Sequence, residues 1–451
     1  NDGSSNDSFD PLADQTVSVT TTDNDVPGFT VTESGGSTSV NESGTTDTFT
    51  VVLNAQPTSD VLFSLTASDA TEASVTTSLT FTPANWNTAQ TATVTGLNES
   101  TVDGDQTSVI TISIVDAVSN DSFDPVVDQT VTVTTVDNDT AGFTIVQTGG
   151  STSVSEAGTT DTFTIVLNAQ PISDVVLTVT SSDTGEATVN SPLTFTNANW
   201  STPQTVTVTG VDDDLVDGTI TSTVTITVDD ANSDDTFDAV ADQTVSATTT
   251  DDDVAGFTVT ETGGSTTVAE TGTTDTFTVV LTAQPASDVV LSISSADTDE
   301  ASVAPSSVTF TTGNWNTAQT VTVTGIDESV VDGDQNSTIT VAILDAASDD
   351  SFDALADQTV SVTTTDNDVA GFTVAQTDGS TSVAETGTTD TFTVVLDAQP
   401  ASDVVLTITS SDTGEATVNS PLTFTNANWD TPQTVTITGV DDNIIDGAIT
   451  S

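Results

Sequence analysis

An all-β chain, built as a tandem array of seven-stranded sandwiches, is what this sequence predicts. Three observations carry the prediction. Apolar residues alternate with polar ones at period two, in runs dominated by Thr and Val. Helix signals are absent from those runs. The whole pattern recurs, because Gly-Phe-Thr opens at Gly28, Gly142, Gly256 and Gly371, at spacings of 114, 114 and 115 residues. Other landmarks keep step: a Thr-Thr-Asp-Thr-Phe-Thr phrase around Phe49, Phe163, Phe277 and Phe392, and an Ala-Gln-Pro turn at Pro57, Pro171, Pro285 and Pro400. An Asn-Trp pair at Trp86, Trp200, Trp315 and Trp429 accounts for all four tryptophans.

The first complete repeat supplies the elements in order. Strand A runs over Phe29–Glu33 and resumes over Ser37–Val40, with Gly35-Gly36 between them as a bulge or kink. B is Thr48–Leu53, C is Val61–Thr66 and D is Ser74–Thr82. E is Thr91–Thr95, F is Ser108–Val115 and G is Gln129–Thr135. Seven short strands with turn signals between them are the pattern of an Ig-like, Greek-key sandwich. The Trp and Phe positions recur once per repeat beside a strand, as core anchors do, and a carbohydrate-stacking role is the weaker reading. On these landmarks residues 1–25 are the end of a repeat, strand G and its acidic linker. Residues 26–139, 140–253 and 254–368 are repeats one to three, and 369–451 are a fourth that stops before strand F.

The copies alternate. Ser-Ser-Asp-Thr-Gly-Glu-Ala-Thr-Val-Asn-Ser-Pro occurs from Ser181 and from Ser410, 229 residues apart, but not in the third repeat. Repeats one and three share Val-Asp-Gly-Asp-Gln around Asp103 and Asp332. The unit is a pair of domains. Two such units fit the chain except for one strand-like stretch, Thr223–Val228, which neither end supplies. Head-to-tail strand exchange is thus disfavoured against a window cut from a longer array. The chain starts without Met, a basic n-region or an apolar signal segment, which agrees with a window or a mature piece.

Composition removes most chemistry. The 451 residues include 68 acidic ones and no Lys, Arg, His, Cys, Met or Tyr, for a formal net charge of -68. Nucleic acid and anionic membrane surfaces repel such a chain, and no 18-residue apolar stretch inserts into a bilayer. Zinc, haem and iron–sulfur sites lack their His and Cys ligands. Ser–His and Cys–His catalysis, Schiff bases, disulfides and Lys–Asn isopeptide bonds are equally out of reach. Paired carboxylates could run glycoside hydrolysis, but nothing forms a substrate cleft, and a site copied four times would be odd; a non-enzyme is expected. What remains is oxygen chemistry, suited to hard cations and to Ca2+ above all.

Strand parity gives the acids an address. A chain entering A at one pole puts the AB, CD and EF turns and the end of G at the other. In repeat one that pole carries Glu42, Asp69, Glu72, Glu99, Asp103, Asp105, Asp137 and Asp139. Repeat two offers Glu156, Asp183, Glu186, Asp212, Asp213, Asp217, Asp251 and Asp253. So many carboxylates in one loop cluster repel unless cations bridge them. The bland alternative is loop solvation, against which stands the return of the acids to one pole in every copy. A weaker cluster in the FG loop, Asp116, Asp121, Asp124 and Asp128, falls at the opposite pole and leaves calcium and plain solvation equally open.

These residues resemble a known family. Ser-Glu-Ala-Gly at Ser155–Gly158, Gly-Val-Asp-Asp-Asp-Leu-Val-Asp-Gly at Gly210–Gly218 and the terminal Asp-Asn-Asp look like the Calx-beta domain. The runs Phe81–Thr91 and Phe195–Thr205 are similar to Calx-beta-like repeats of large secreted bacterial surface proteins. The resemblance covers essentially the whole chain, and it implies ligands from the AB loop, the region before D, the EF loop and the acidic linker. By position these are Glu42, Asp69, Glu99, Asp103, Asp137 and Asp139 in repeat one, and Glu156, Asp183, Asp212, Asp213, Asp217, Asp251 and Asp253 in repeat two. Repeat three offers Glu270, Asp297, Asp327, Glu328, Asp332, Asp366 and Asp368. Repeat four offers Glu385, Asp412, Asp441, Asp442 and Asp446, and the leading fragment Asp23 and Asp25. Repeat one departs from the pattern by carrying Asn98 and Glu99 where Asp212 and Asp213 stand.

The expected function is structural: a stalk or filament segment of an extracellular, adhesin-like bacterial surface protein, stiffened by Ca2+ at the joints between neighbouring repeats. Like chains in a fibre are possible further partners. The alternative is a ligand- or glycan-binding module using the loops, which here are near-identical and poor in aromatics. At 3.3 Å per strand residue each domain should span on the order of 40 Å.

Overall fold

A computed structural model describes residues 13, 15–445 and 447–451. It is an all-β chain of Ig-like sandwiches. By contact density it forms two compact units: one runs through Ser153 and includes Thr160–Thr209 and Ser222–Ala247, the other comprises Val154–Thr159, Gly210–Thr221 and Thr248–Ser451. Repeat one lies wholly within the first and repeat three within the second.

In repeat one the strands are β1 (Phe29–Glu33), β2 (Thr38–Asn41), β3 (Thr46–Leu53), β4 (Val61–Ala67) and β5 (Ala73–Val75). They continue with β6 (Ser78–Phe81), β7 (Gln90–Gly96), β8 (Gln106–Ile114) and β9 (Gln129–Val136). One sheet has the order β1-β3-β7-β5 and the other β2-β9-β8-β4-β6. Repeat three has the same two orders.

Two of the expected strands divide between the sheets. Strand A becomes β1, antiparallel to β3, and β2, parallel to β9. The break is a short 3-10 turn rather than a bulge, and Gly35 and Gly36, at φ 72° and 88°, turn the chain from one sheet to the other. Strand D likewise becomes β5, paired with β7, and β6, paired with β4. At the crossover the Thr76 hydroxyl accepts the Thr93 amide at 2.9 Å in place of a ladder carbonyl, and the Leu65 amide reaches Thr77 O at 3.0 Å in the other sheet. Periodicity alone reads both pieces as one strand because the alternation runs on through the crossover.

The core lies where the two inward faces meet. Phe49, Phe63 and Phe81 are fully buried with Val51, Val61, Val94, Ile110 and Ile112. Phe63 stacks edge-on against Phe29 and Phe81, with centroids 4.8 and 5.7 Å away. The tryptophans sit at its rim rather than its centre: Trp86 and Trp315 are half-buried against their clusters. Their carbonyls accept the amides of Leu53 and Leu281 at 3.2 Å, so they prolong the β3–β7 pairing and its counterpart past the last ladder pairs, Val51–Gln90 and Val279–Gln319. Asp47 staples the sheets, taking the amides of Ser39 at 2.9 Å and Thr48 at 2.7 Å; Asp275 does the same with Thr267 and Thr276.

Repeat four keeps its first sheet, but Phe372 is 55 % exposed where Phe29 is 3 % exposed. Its described residues include no counterpart of β8 or β9 to cover that face. Residues 15–28, expected to include a strand G, form none. No helix among the described residues is long and apolar enough to cross a membrane.

Candidate metal centre

The acids of one pole converge through three local devices. The AB turn leaves β2 at Asn41, whose side chain accepts the Ser43 amide at 3.0 Å while Gly44, at φ 83°, closes the turn. This delivers Glu42 inward, 1 % exposed. The turn can sit there only because β7 ends in glycine: a Cβ on Gly96 would lie 2.1 Å from Asn41 O. Gly210, Gly325 and Gly439 stand equally close to Ser155, Ala269 and Ala384. The EF loop then swings back on Gly104, at φ 71°, whose amide donates to Asp137 Oδ2 at 2.9 Å. Gly218 and Gly333 make the same bond to Asp251 and Asp366 at 2.8 Å.

The Asp-x-Asp that ends each complete repeat, Asp137 and Asp139, Asp251 and Asp253, Asp366 and Asp368, therefore divides its labour. The first aspartate is a fastener: besides holding the EF glycine, it accepts the second aspartate's amide at 2.7 Å in each of the three complete repeats. The second points its carboxylate into the cluster. Asp139 Oδ2 and Asp368 Oδ2 are buried with no hydrogen-bond partner.

The resulting constellations are tight. In repeat one, oxygens of Glu42, Asp137 and Asp139 lie within 4.8 Å of one another, as do those of Glu42, Glu99 and Asp103. Repeat two brings Glu156, Asp213 and Asp253 together at the same limit, and repeat three Glu270, Glu300, Glu328 and Asp332. Glu99 thus reaches the group despite the shift in acid type, and Glu328 does so in repeat three. The longer side chain stands where Asp213 stands in repeat two.

One contributor differs from expectation. The resemblance implies Asp69, Asp183, Asp297 and Asp412 as the CD-loop ligands. All four are exposed and spend an oxygen on a local turn, accepting the amides of Thr71, Gly185, Asp299 and Gly414. The residue three places on is the one turned inward: Glu72, Glu186 and Glu300 are 6, 6 and 7 % exposed. The signal for them was parity, which already put Glu72 and Glu186 at this pole. Of the other expected ligands, Asp212, Asp327 and Asp441 are exposed, and Asp327 accepts the Asn367 side chain at 3.2 Å. In repeat four Glu385 and Asp442 are half-buried, and Asp442 takes the Ile444 amide at 2.7 Å. Asp23 and Asp25 are exposed, and Asp446 lies outside the described residues. The FG-loop acids Asp116, Asp121, Asp124 and Asp128 are all exposed.

Electrostatics record the crowding. Burial, and then the charges of Asp103, Glu99, Asp69 and Glu42, push the Glu72 carboxyl up to about 7. Burial, then Asp332, Glu328, Glu270 and Asp297, does the same to Glu300. Burial also raises Glu42, Asp103, Asp139, Glu270, Glu328 and Asp368. No cationic side chain exists in the chain to relieve them. The fit to a hard cation is direct, because Glu72 Oε2, Asp103 Oδ1, Glu270 Oε1, Glu300 Oε2 and Glu328 Oε1 are also buried without hydrogen-bond partners. Every donor is oxygen, and buried carboxylate oxygens left unpaired are costly.

No protein-family model matches the chain, and no curated protein does. Among solved structures it is similar to the calcium binding domain CBD12 of CALX1.1, at 17 % identity over 44 % of this chain and 79 % of that one, with TM-score 0.19. The human desmocollin-1 ectodomain is similar at 10 % identity over 94 % of this chain and 75 % of that one, TM-score 0.25. Titin domains I67–I69 match at 9 % over 76 % and 97 %, TM-score 0.25.

Proposed function

We propose that this chain is a non-enzymatic, calcium-binding structural segment, a stalk or filament piece of an extracellular bacterial surface protein of adhesin type. The observation that carries the reading is the set of buried, unpartnered carboxylate oxygens at one pole of repeats one and three, in a chain without a single cationic side chain. Ca2+ would be held by Glu42, Glu72, Glu99, Asp103 and Asp139 in repeat one and by Glu270, Glu300, Glu328, Asp332 and Asp368 in repeat three. In repeat two the corresponding holders are Glu156, Asp213 and Asp253. When bound it supplies positive charge and six to eight oxygen-ligand positions at flexible geometry. The protein's own part is to bury the carboxylates, fasten the EF loop through the first aspartate of Asp-x-Asp, and keep the AB turn against the glycine that ends β7 and its counterparts. Mg2+ fits less well, because it demands near-octahedral geometry and keeps its water.

Location outside the cell accords with a calcium requirement, since extracellular modules work at about 10⁻⁴–10⁻³ M calcium. Calorimetric titration of the chelated chain with CaCl2, paired with metal analysis after dialysis, tests the reading. Saturable binding of at least one ion per complete repeat is expected, with weaker binding of Mg2+. A flat titration at low salt overturns it.

A further inference from the structure

The EF loop that carries the ligand candidates also holds the next repeat. The Gln170 amide donates to Ser100 O at 2.7 Å, and the Val102 amide donates back to Gln170 O at 2.9 Å. The same grip recurs where Leu215–Val216 pairs in parallel with Gln284–Pro285, the Gln284 amide reaching Asp214 O at 2.7 Å. It recurs again where Val330–Val331 pairs with Gln399–Pro400, the Gln399 amide reaching Ser329 O at 2.7 Å. Each bridge ends at the proline, which has no amide to continue it. Two of them also carry an apolar peg: Val216 packs on the core of repeat three, and Val331 lines a groove of about 470 Å³ with Phe372, Leu396 and Pro400. The gripping residues lie between Glu99 and Asp103, between Asp213 and Asp217, and between Glu328 and Asp332, so metal ligand candidates flank the bridge on both sides.

We propose that the EF loop is a clamp whose hold on the Ala-Gln-Pro turn of the following repeat is linked to ion occupancy in its own repeat. The inference rests on the calcium reading. Ions fix the loop from its flanks and so present its carbonyl and its valine in register for the turn. By linkage, a docked turn raises the ion affinity of the repeat before it by the same factor. The partner is thus another copy of the repeat in head-to-tail order, recognised through a backbone bridge and one apolar side chain.

Hydrogen exchange on the full chain, in CaCl2 and in EDTA, tests this directly. In EDTA the amides of Gln170, Gln284 and Gln399 are expected to exchange at least about tenfold faster, while ladder amides around Phe49 and Phe277 keep their protection. Gln56, whose turn meets no EF loop among the described residues, is the internal control and stays unchanged. Equal exchange at the three turns in a sample shown by titration to bind calcium overturns the clamp and leaves the calcium reading standing. Absence of binding overturns both. A second arm replaces the donors, Gln170→Pro, Gln284→Pro and Gln399→Pro together. Calcium affinity should fall about fivefold or more, with ladder protection checking the fold, and unchanged affinity in a folded variant again overturns the clamp.

Discussion

Replacing the inward glutamates by their neutral isostere, Glu72→Gln with Glu186→Gln and Glu300→Gln in one chain, should act in opposite senses on the metal-free and calcium-loaded protein. In the metal-free state Glu72 and Glu300 must give up a proton at pH 8 in a site where burial and like charges push them up to about 7, against 4.5 ordinarily. That displacement corresponds to about 3 kcal/mol per site once both states are ionised. Glutamine keeps the volume and removes the charge. Its buried amide recovers only part of the hydrogen bonding, at a cost of about 1–2 kcal/mol. A net gain of about 1–2 kcal/mol in each of repeats one and three remains, or a rise in their melting temperature of roughly 4–10 °C for domains of this size. In calcium the same change deletes a ligand, and each tenfold loss of affinity removes about 1.4 kcal/mol of the stabilisation that bound ion confers. Differential scanning calorimetry at pH 8, in EDTA and in saturating CaCl2, reads both terms. The variant should melt above the parent in EDTA and show a smaller calcium-induced increment. A variant that melts lower in EDTA, or that keeps the full increment, refutes the reasoning.

Further outcomes follow from the same geometry. In EDTA the parent chain should lose stability as pH rises from about 4.5 to about 7, because carboxyls with raised values bind more protons folded than unfolded, and the loss should be complete once they ionise; thermal melts at half-unit steps check this, and a rise over that window contradicts it. Gly325→Ala places a Cβ 2.1 Å from Ala269 O; backbone must move, so the variant should lose about 2 kcal/mol or more in urea melts and bind calcium more weakly. Asp378 adopts φ 56° where the other repeats place Gly35, Gly149 and Gly263, and Asp378→Gly should gain about 1 kcal/mol in repeat four by the same melts. Asp275→Ala removes an acceptor that holds the Thr267 and Thr276 amides; it should cost about 1–3 kcal/mol and leave calcium stoichiometry untouched, since both oxygens of this aspartate are spent on those backbone amides.

Much of this was legible in the sequence. Period-two alternation set the fold class, and the recurrence of Gly28, Phe49, Pro57 and Trp86 set the repeat. Counting strands puts Glu42, Glu99, Asp103 and Asp139 at one pole, since each antiparallel strand reverses direction and the number of strands between two loops decides which end they share. That count is indifferent to side-chain direction. It could not choose between Asp69 and Glu72, three residues apart in one loop. The choice is made when β5 pairs with β7, Ala73 opposite Gly96, which turns Glu72 under the EF loop and leaves Asp69 in solvent. The sheet switches in strands A and D were hidden for a similar reason, because alternation continues through a crossover while the hydrogen-bond partner changes. The hold of each EF loop on the next Ala-Gln-Pro turn is the furthest from the sequence. It is made by backbone groups about 70 residues apart, in a two-residue parallel bridge that every residue type but proline can donate to. Local chemistry fixes which way a strand runs and how its faces alternate; only packing decides which loop atoms then meet.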